Sequence, residues 1–380
     1  MAHDICELLG IEFPVLAFSH CRDVVAAVTR AGGLGVLGAM TYTPEALEVE
    51  LAWIEEQVGS LPWGVDVLIP ASLGGVGELS SEDLTSFLAK VELASLFPEG
   101  HRRFLSDLLD RYEVPPLADP AIAGGGDIGR FSLPTTLADI SLEHPITLIA
   151  SALGPPPPTL VEDAHKKGVL VVALAGTAEH AVRQKEAGVD VIVAQGTEAG
   201  GHTGEISTMV LVPEVVEAVA PLPVLAAGGI ASGRQMAAAM ALGAQGVWTG
   251  SVWLTTEEAE TEPVVKQKML RASSKDTVRS KSRTGKPARQ LKSAWTEAWE
   301  GPDSPGALPM PLQPLLIDEA LARIDHAAAA GHQGATELAN YFVGQVVGSM
   351  KAIKPARQVL LDMVSEYIDT VTEMAARLEN

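Results

Sequence analysis

The sequence predicts an α/β fold, a TIM (β/α)8 barrel with a helical insertion after the third strand and further helices at the C-terminus. Two observations carry the prediction. Eight short apolar, β-branched runs recur along the chain, at 14–19, 34–38, 63–69, 146–151, 170–175, 190–195, 223–228 and 246–250. Stretches of helical periodicity separate them, which is the pattern of repeated βα units on a parallel sheet. A doubly wound sheet offers no natural place for eight evenly dealt units.

The helical stretches include "RDVVAAVTRAGG", "TPEALEVELAWIEEQVG", "PTLVEDAHKKG", "AEHAVRQKEAG", "VPEVVEAVA" and "SGRQMAAAMALG". Several close on the glycine expected just past a helix end. The interval between the third and fourth runs is too long for one helix. It holds helical patterns at 81–97 and 100–112 and then the loose "ADPAIAGGGDIGRF", so it reads as an insertion over the barrel mouth (about 71–135) with Gly124, Gly125 and Gly126 as a flexible, lid-like element. The barrel is expected over 1–260, and 261–380 is expected to form a basic connector, a proline-rich segment and three helices packed as a cap or against the barrel side.

Composition narrows the function. Apolar residues make up 47% and charged residues 20% of the 380 positions, a globular balance with ample material for a core. The net charge of −21 argues against nucleic acid and against anionic membranes as partners. Cys6 and Cys21 are too few for a disulfide framework, the N-terminus lacks the order of a signal peptide, and no apolar run is long enough to span a bilayer. The expectation is a soluble cytoplasmic protein with a small-molecule substrate, and a homodimer is left open.

TIM-barrel sites lie on the loops after the strands, with phosphate commonly held after strands seven and eight. Gly228 and Gly229 follow the seventh run, with a helix starting near Ser232, while Gly250 and Ser251 follow the eighth. Glycine lets a backbone approach a phosphate that a Cβ would block. After the sixth run comes "AQGTEAGGHTGE", which sets Gln195, Gly200, Gly201 and His202 at the same mouth. His202 is the one group there able to act as base or acid near neutral pH.

These stretches, with "AGGLGVLGA", "PVLAAGGIASGRQMAAAMALGAQGVWTGSVW" and "RTGKPAR", resemble the nitronate monooxygenase family, formerly called 2-nitropropane dioxygenases. The resemblance implies non-covalent FMN, with His202 as catalytic base or substrate-orienting residue. It also implies that Gln195, Gly200 and Gly201 border the flavin and that Gly228, Gly229, Gly250 and Ser251 hold its phosphate. Where the family has a Gln-Ala-Pro-Met-Ala-Gly type segment after strand one, this chain has "LAFSHCRD", so Ala17 and Phe18 take the flavin-bordering place. His20 in that stretch is either a second mouth histidine or a helix cap. Asp66 stands where the family commonly has Asn, and a carboxylate would disfavour a nearby anion, so it either points away or makes a changed contact.

No metal site is expected, since no ligand spacing such as His-Glu-x-x-His occurs. From 264 to 292 ten Lys/Arg residues face one acid, Asp276, which reads either as a solvated surface or as a surface for an anionic group such as the flavin phosphate, a nitro-acid or a coenzyme A thioester. The resemblance implies oxidation of alkyl nitronates with O2 to a carbonyl compound and nitrite. Two alternatives stand beside it: an FMN-dependent NAD(P)H reductase or dehydrogenase acting on an enoyl or coenzyme A thioester or a quinone, and a barrel that binds a phosphorylated metabolite without redox chemistry.

Overall fold

The computed structural model describes residues 4–68, 97–118 and 134–378. Nearly all of the helical pattern expected at 81–97, and the Gly124 to Gly126 element, lie outside the described residues. Eight parallel strands close into a barrel: β1 (Val15–Ser19), β2 (Leu34–Gly38), β3 (Gly64–Leu68), β4 (Leu148–Ala152), β5 (Leu170–Ala175), β6 (Val191–Gln195), β8 (Val224–Ala227) and β9 (Gly246–Thr249). Each falls on one of the eight apolar runs. The ring closes where Val15 pairs with Val247 and Ala17 with Thr249.

Strand alternation sorts side chains into two layers. Leu16, Leu34, Val36, Leu148, Ala150, Val172, Val193, Leu225 and Trp248 fill the lumen, and Ile5 and Leu9 of the N-terminal helix Ile5–Leu9 join this cluster, plugging one end. The alternate residues, among them Val15, Ala17, Leu37, Val65, Val67 and Ile149, pack outward against the helices. One such contact requires glycine: a Cβ on Gly35 would lie 2.3 Å from the carbonyl oxygen of Val25 on the helix Arg22–Arg30.

The sixth βα helix departs from the expected start near residue 212. It spans Thr208–Val219, with Pro213 inside it. Proline is enriched in the first turn of helices, but here the start is set earlier, because Glu198 accepts hydrogen bonds from the Thr208 N–H at 3.0 Å and hydroxyl at 2.9 Å.

The connector is not a bare solvated surface. It contributes the helix Pro263–Arg271 and strands β10 (Thr277–Ser280) and β11 (Ala288–Leu291), and β11 pairs with β7, the two-residue strand Gly201–His202. A second apolar cluster forms around it, gathering Leu105, Leu108 and Leu109 from the helix Glu99–Arg111, Trp295 and Trp299, and Ile317 and Ile324 of the helix Leu312–Ala329. The last helix, Ala356–Leu378, returns to the barrel. There Glu366 accepts from the Gly233 N–H at 2.9 Å and pairs with Arg234 at 2.5 Å.

Gly233 permits that docking, since a Cβ there would meet the Tyr367 amide nitrogen at 2.1 Å and the Met363 carbonyl at 2.3 Å. Backbone on both sides leaves nothing to yield. Gly233→Val is expected to lower stability by about 1–3 kcal/mol or more in chemical denaturation; an unchanged midpoint would show that the last helix is not packed on this turn.

Candidate active site

The glycines of the sixth loop have separate physical reasons. A Cβ on Gly196 would meet the Thr208 hydroxyl at 2.1 Å, one on Gly200 the amide of Gly344 at 2.9 Å, and one on Gly204 the carbonyl of Gly176 at 2.9 Å. These three are packing requirements. Gly201 differs: its φ of 74° demands glycine, yet the space where a Cβ would stand is open. His202 follows it, paired through β7 with Ala288, and its Nε2 lies 2.9 Å from the Thr284 hydroxyl. Burial, reinforced by the charge of Lys286, pushes the imidazole down to about 4, so the ring is neutral at physiological pH.

Gly228 and Gly229 end β8 with φ of 94° and 74°. A Cβ on Gly228 would press on the Gly196 carbonyl at 2.9 Å, whereas one on Gly229 would meet nothing closer than the Glu198 side chain at 3.5 Å. The N–H groups of Gly229 and Ile230 have no partner among the described residues, and the helix Gly233–Ala241 begins just beyond at its Ser232 cap. Gly250 lies at the end of β9 against Phe18, and the Ser251 hydroxyl accepts from the Gly344 N–H at 2.8 Å. The predicted residues after β6, β8 and β9 thus converge, joined by a segment the sequence reading missed: Gly344 sits between Gly200, Ser251 and the Glu198 carbonyl, and Gln345 N–H donates to that carbonyl at 2.9 Å.

On the lumen side, Phe18 stacks on Trp248 with ring centroids 6.3 Å apart and meets His20 edge-on at 5.1 Å. The Ala17 methyl lies in the outer layer, so the barrel wall shows only its main chain there. His20 Nδ1 donates to the Gly38 carbonyl at 3.1 Å, and a Cβ on Gly38 would collide with its ring at 2.6 Å. His20 is therefore held in the barrel and is not the cap of the following helix, whose N-cap Cys21 has no side-chain capping bond. Gln195, by alternation with Val193, faces the lumen mouth.

Asp66 points inward too, because Val65 and Val67 on either side pack outward. Its carboxyl has no hydrogen-bond partner among the described residues, and burial pushes it up to about 7. The repulsion that a carboxylate would offer an anion is thereby lessened, about half of the group being neutral near pH 7.

The basic connector is inward-looking. Lys266 donates to the Thr256 carbonyl at 2.8 Å, Lys268 to that of Thr336 at 2.9 Å, Arg279 to that of Thr203 at 3.2 Å, Arg283 to that of Asn340 at 2.9 Å and Arg289 to that of Thr197 at 2.8 Å. Five of the ten cations thus cap backbone oxygens, two of them on the His202 loop. Cys21, Asp23 and Glu260 approach within 4.8 Å of one another, a cluster that linear spacing does not reveal, but the Cys21 thiol donates to the Glu258 carbonyl at 3.0 Å and burial raises its pKa, which keeps it a structural thiol. No helix among the described residues is long and apolar enough to cross a membrane.

A closed parallel barrel with glycine turns after its last strands and one neutral histidine over the mouth defines an enzyme of the TIM-barrel class. The nitronate monooxygenase family model matches residues 4–366, and the chain belongs to that family, whose members are oxidoreductases. It is 59% identical over 97% of both chains to a protein of Mycobacterium tuberculosis named as a monooxygenase. It is 30% identical to a nitronate monooxygenase by name from Staphylococcus saprophyticus, over 75% of this chain and 77% of that one. Among solved structures it is similar to the nitroalkane oxidase of Streptomyces ansochromogenes (TM-score 0.78, 25% identity, 98% and 100% of the two chains) and to FabK from Thermotoga maritima (TM-score 0.69, 26% identity, 98% of each).

The Asp66 geometry has a consequence for stability. Its folded pKa of about 7 lies above the ordinary value of 3.8. The fold therefore favours the neutral acid; that stability is complete below the unfolded pKa and is lost as pH rises through the folded one. Asp66→Asn is expected to gain on the wild type with rising pH, from near zero at about pH 4 to about 2–4 kcal/mol at about pH 8. Parallel denaturation curves at the two pH values check this, and a margin that does not change with pH would refute it.

Proposed function

We propose that the protein is an FMN-dependent nitronate monooxygenase, oxidising alkyl nitronates with O2 to a carbonyl compound and nitrite. The observation that carries the reading is the neutral imidazole of His202, held over the barrel mouth within the field of the Lys286 ammonium. In a protein of net charge −21, that ammonium is the local positive group an anionic substrate requires.

The residues fit FMN. The unpartnered N–H groups of Gly229 and Ile230, with Gly250 and Ser251 on the adjoining strand end, are suited to the phosphate. Gln195, Gly200, Gly201, Phe18 and Asp66 would border the ring, Asp66 as a donor while protonated. The bound flavin supplies the electron-accepting and oxygen-reactive chemistry that no side chain here provides.

A base whose pKa is about 4 is poorly matched to removing a C–H proton near neutral pH. A nitronate has already lost that proton, so Lys286 attracts it, and His202 is called on as a weak base only for the parent nitroalkane. The expected preference in kcat/KM for a nitronate over its parent nitroalkane is on the order of 10² or more. Equal use of both would overturn this role for His202.

The visible spectrum tests the whole reading. FMN-like bands, bleached anaerobically by an alkyl nitronate, are expected. Bands bleached by NADH and indifferent to nitronate would shift the reading to the reductase, and a protein that binds no flavin would leave the metabolite-binding barrel. His202→Asn should retain flavin and lose turnover.

A further inference from the structure

Among the described residues the His202 imidazole makes one hydrogen bond, and its chemistry decides the state of the ring. Thr284 Oγ1 lies 2.9 Å from His202 Nε2, 3.0 Å from the Lys286 carbonyl oxygen and 3.3 Å from the Lys286 amide nitrogen. A hydroxyl offers one proton and two lone pairs. The Lys286 carbonyl can only accept, so it takes the proton. The Lys286 N–H can only donate, so it takes one lone pair. The remaining lone pair faces His202, whose Nε2 must then carry the hydrogen.

From this geometry we propose that Thr284 is a positioning residue: it locks His202 as the Nε2–H tautomer and leaves Nδ1 as the single lone pair the ring can offer to substrate. Nδ1 has no partner among the described residues. The opposite tautomer would set two lone pairs against each other, or would turn the Thr284 proton away from Lys286 and leave that carbonyl unpaired.

The loop that delivers the hydroxyl is itself tightly placed. Gly285 turns with φ 78°, and a Cβ there would strike the Leu308 carbonyl at 2.2 Å. On one side Arg283 bonds both the carbonyl and the side chain of Asn340, at 2.9 and 2.7 Å, and lies over the Tyr341 and Phe342 rings. On the other, Ala288 and Arg289 pair with His202 and Gly201. The stretch "RTGKPAR" thus acts as a mount: Arg283 is the anchor, Thr284 the contact, Gly285 the turn and Arg289 the tie to the histidine loop.

The inference rests on His202 being the substrate-facing residue, and its test separates the two claims. Flavin-loaded protein labelled with [15N]histidine is observed by long-range 1H–15N correlation at neutral pH, with His202→Gln identifying the signal. The wild type and Thr284→Ser are expected to show a protonated Nε2 and an unprotonated Nδ1, and Thr284→Val a mixture of both tautomers. In parallel, Thr284→Val should lose about 10- to 100-fold in kcat/KM for a neutral nitroalkane, whose α-proton the Nδ1 lone pair accepts, at unchanged flavin affinity, with Thr284→Ser restoring most of it. A wild-type ring protonated at Nδ1, or a Thr284→Val enzyme with the wild-type tautomer and rate, would overturn the proposal. The expected tautomers in a protein that does not turn over nitronate would uphold the lock and remove the reaction assigned to the site.

Discussion

The antiparallel pairing of Gly201 and His202 with Arg289 and Ala288 is the constraint on which the rest of the site depends. A barrel by itself delivers loops to its rim without deciding how they lie. Here the sixth loop is made the edge of a three-stranded sheet whose other strands come from beyond the barrel, and that sheet rests on a second apolar cluster built around Trp295, Trp299 and Ile317. The histidine is therefore held between two cores. Hydrogen bonds from Arg279 and Arg289 to the carbonyls of Thr203 and Thr197 bracket the same loop, and bonds to charged donors are worth about 1.5–3 kcal/mol each where they are shielded from water.

Two different electrostatic devices meet at the mouth. Asp66 is a carboxyl whose ionisation burial pushes up to about 7, and His202 an imidazole kept neutral by burial and by a neighbouring ammonium. Both shifts remove charge from the place where a planar, partly anionic ligand would lie. Lys286, whose charge acts on the His202 ring, comes from the connector, the part of the chain where basic residues are concentrated against the acidic background.

The barrel was legible in the sequence because a strand covered on both faces must be apolar throughout, and all eight runs became strands within a residue or two of their expected ends. Gly228, Gly229 and Gly250 could be placed at the rim because each stands at the end of such a run, and His202 because it lies on the loop that follows the sixth. What could not be read depends on pairing between distant segments: the clip of Glu198 on Thr208, the insertion of Gly344 between Gly200 and Ser251, and the contact of Thr284 with His202. None leaves a periodic trace. The basic connector was visible as a composition, but the same lysines and arginines would serve equally well for an outward anion surface or for inward carbonyl caps, and only their partners decide. Likewise Pro213 looked like a helix start, and a carboxylate fifteen residues earlier moved it.

The placement of Gly344 and Thr284 bears on how the molecule comes to life on the ribosome. Every strand of the barrel has been synthesised once Thr249 has emerged, although the last helix that packs on Gly233 is still to come. The contacts that hold the sixth loop arrive later, Thr284 and Arg289 first and Gly344 last. For that interval the barrel strands stand without a finished mouth, and a chain halted there would lack the contacts that place its histidine.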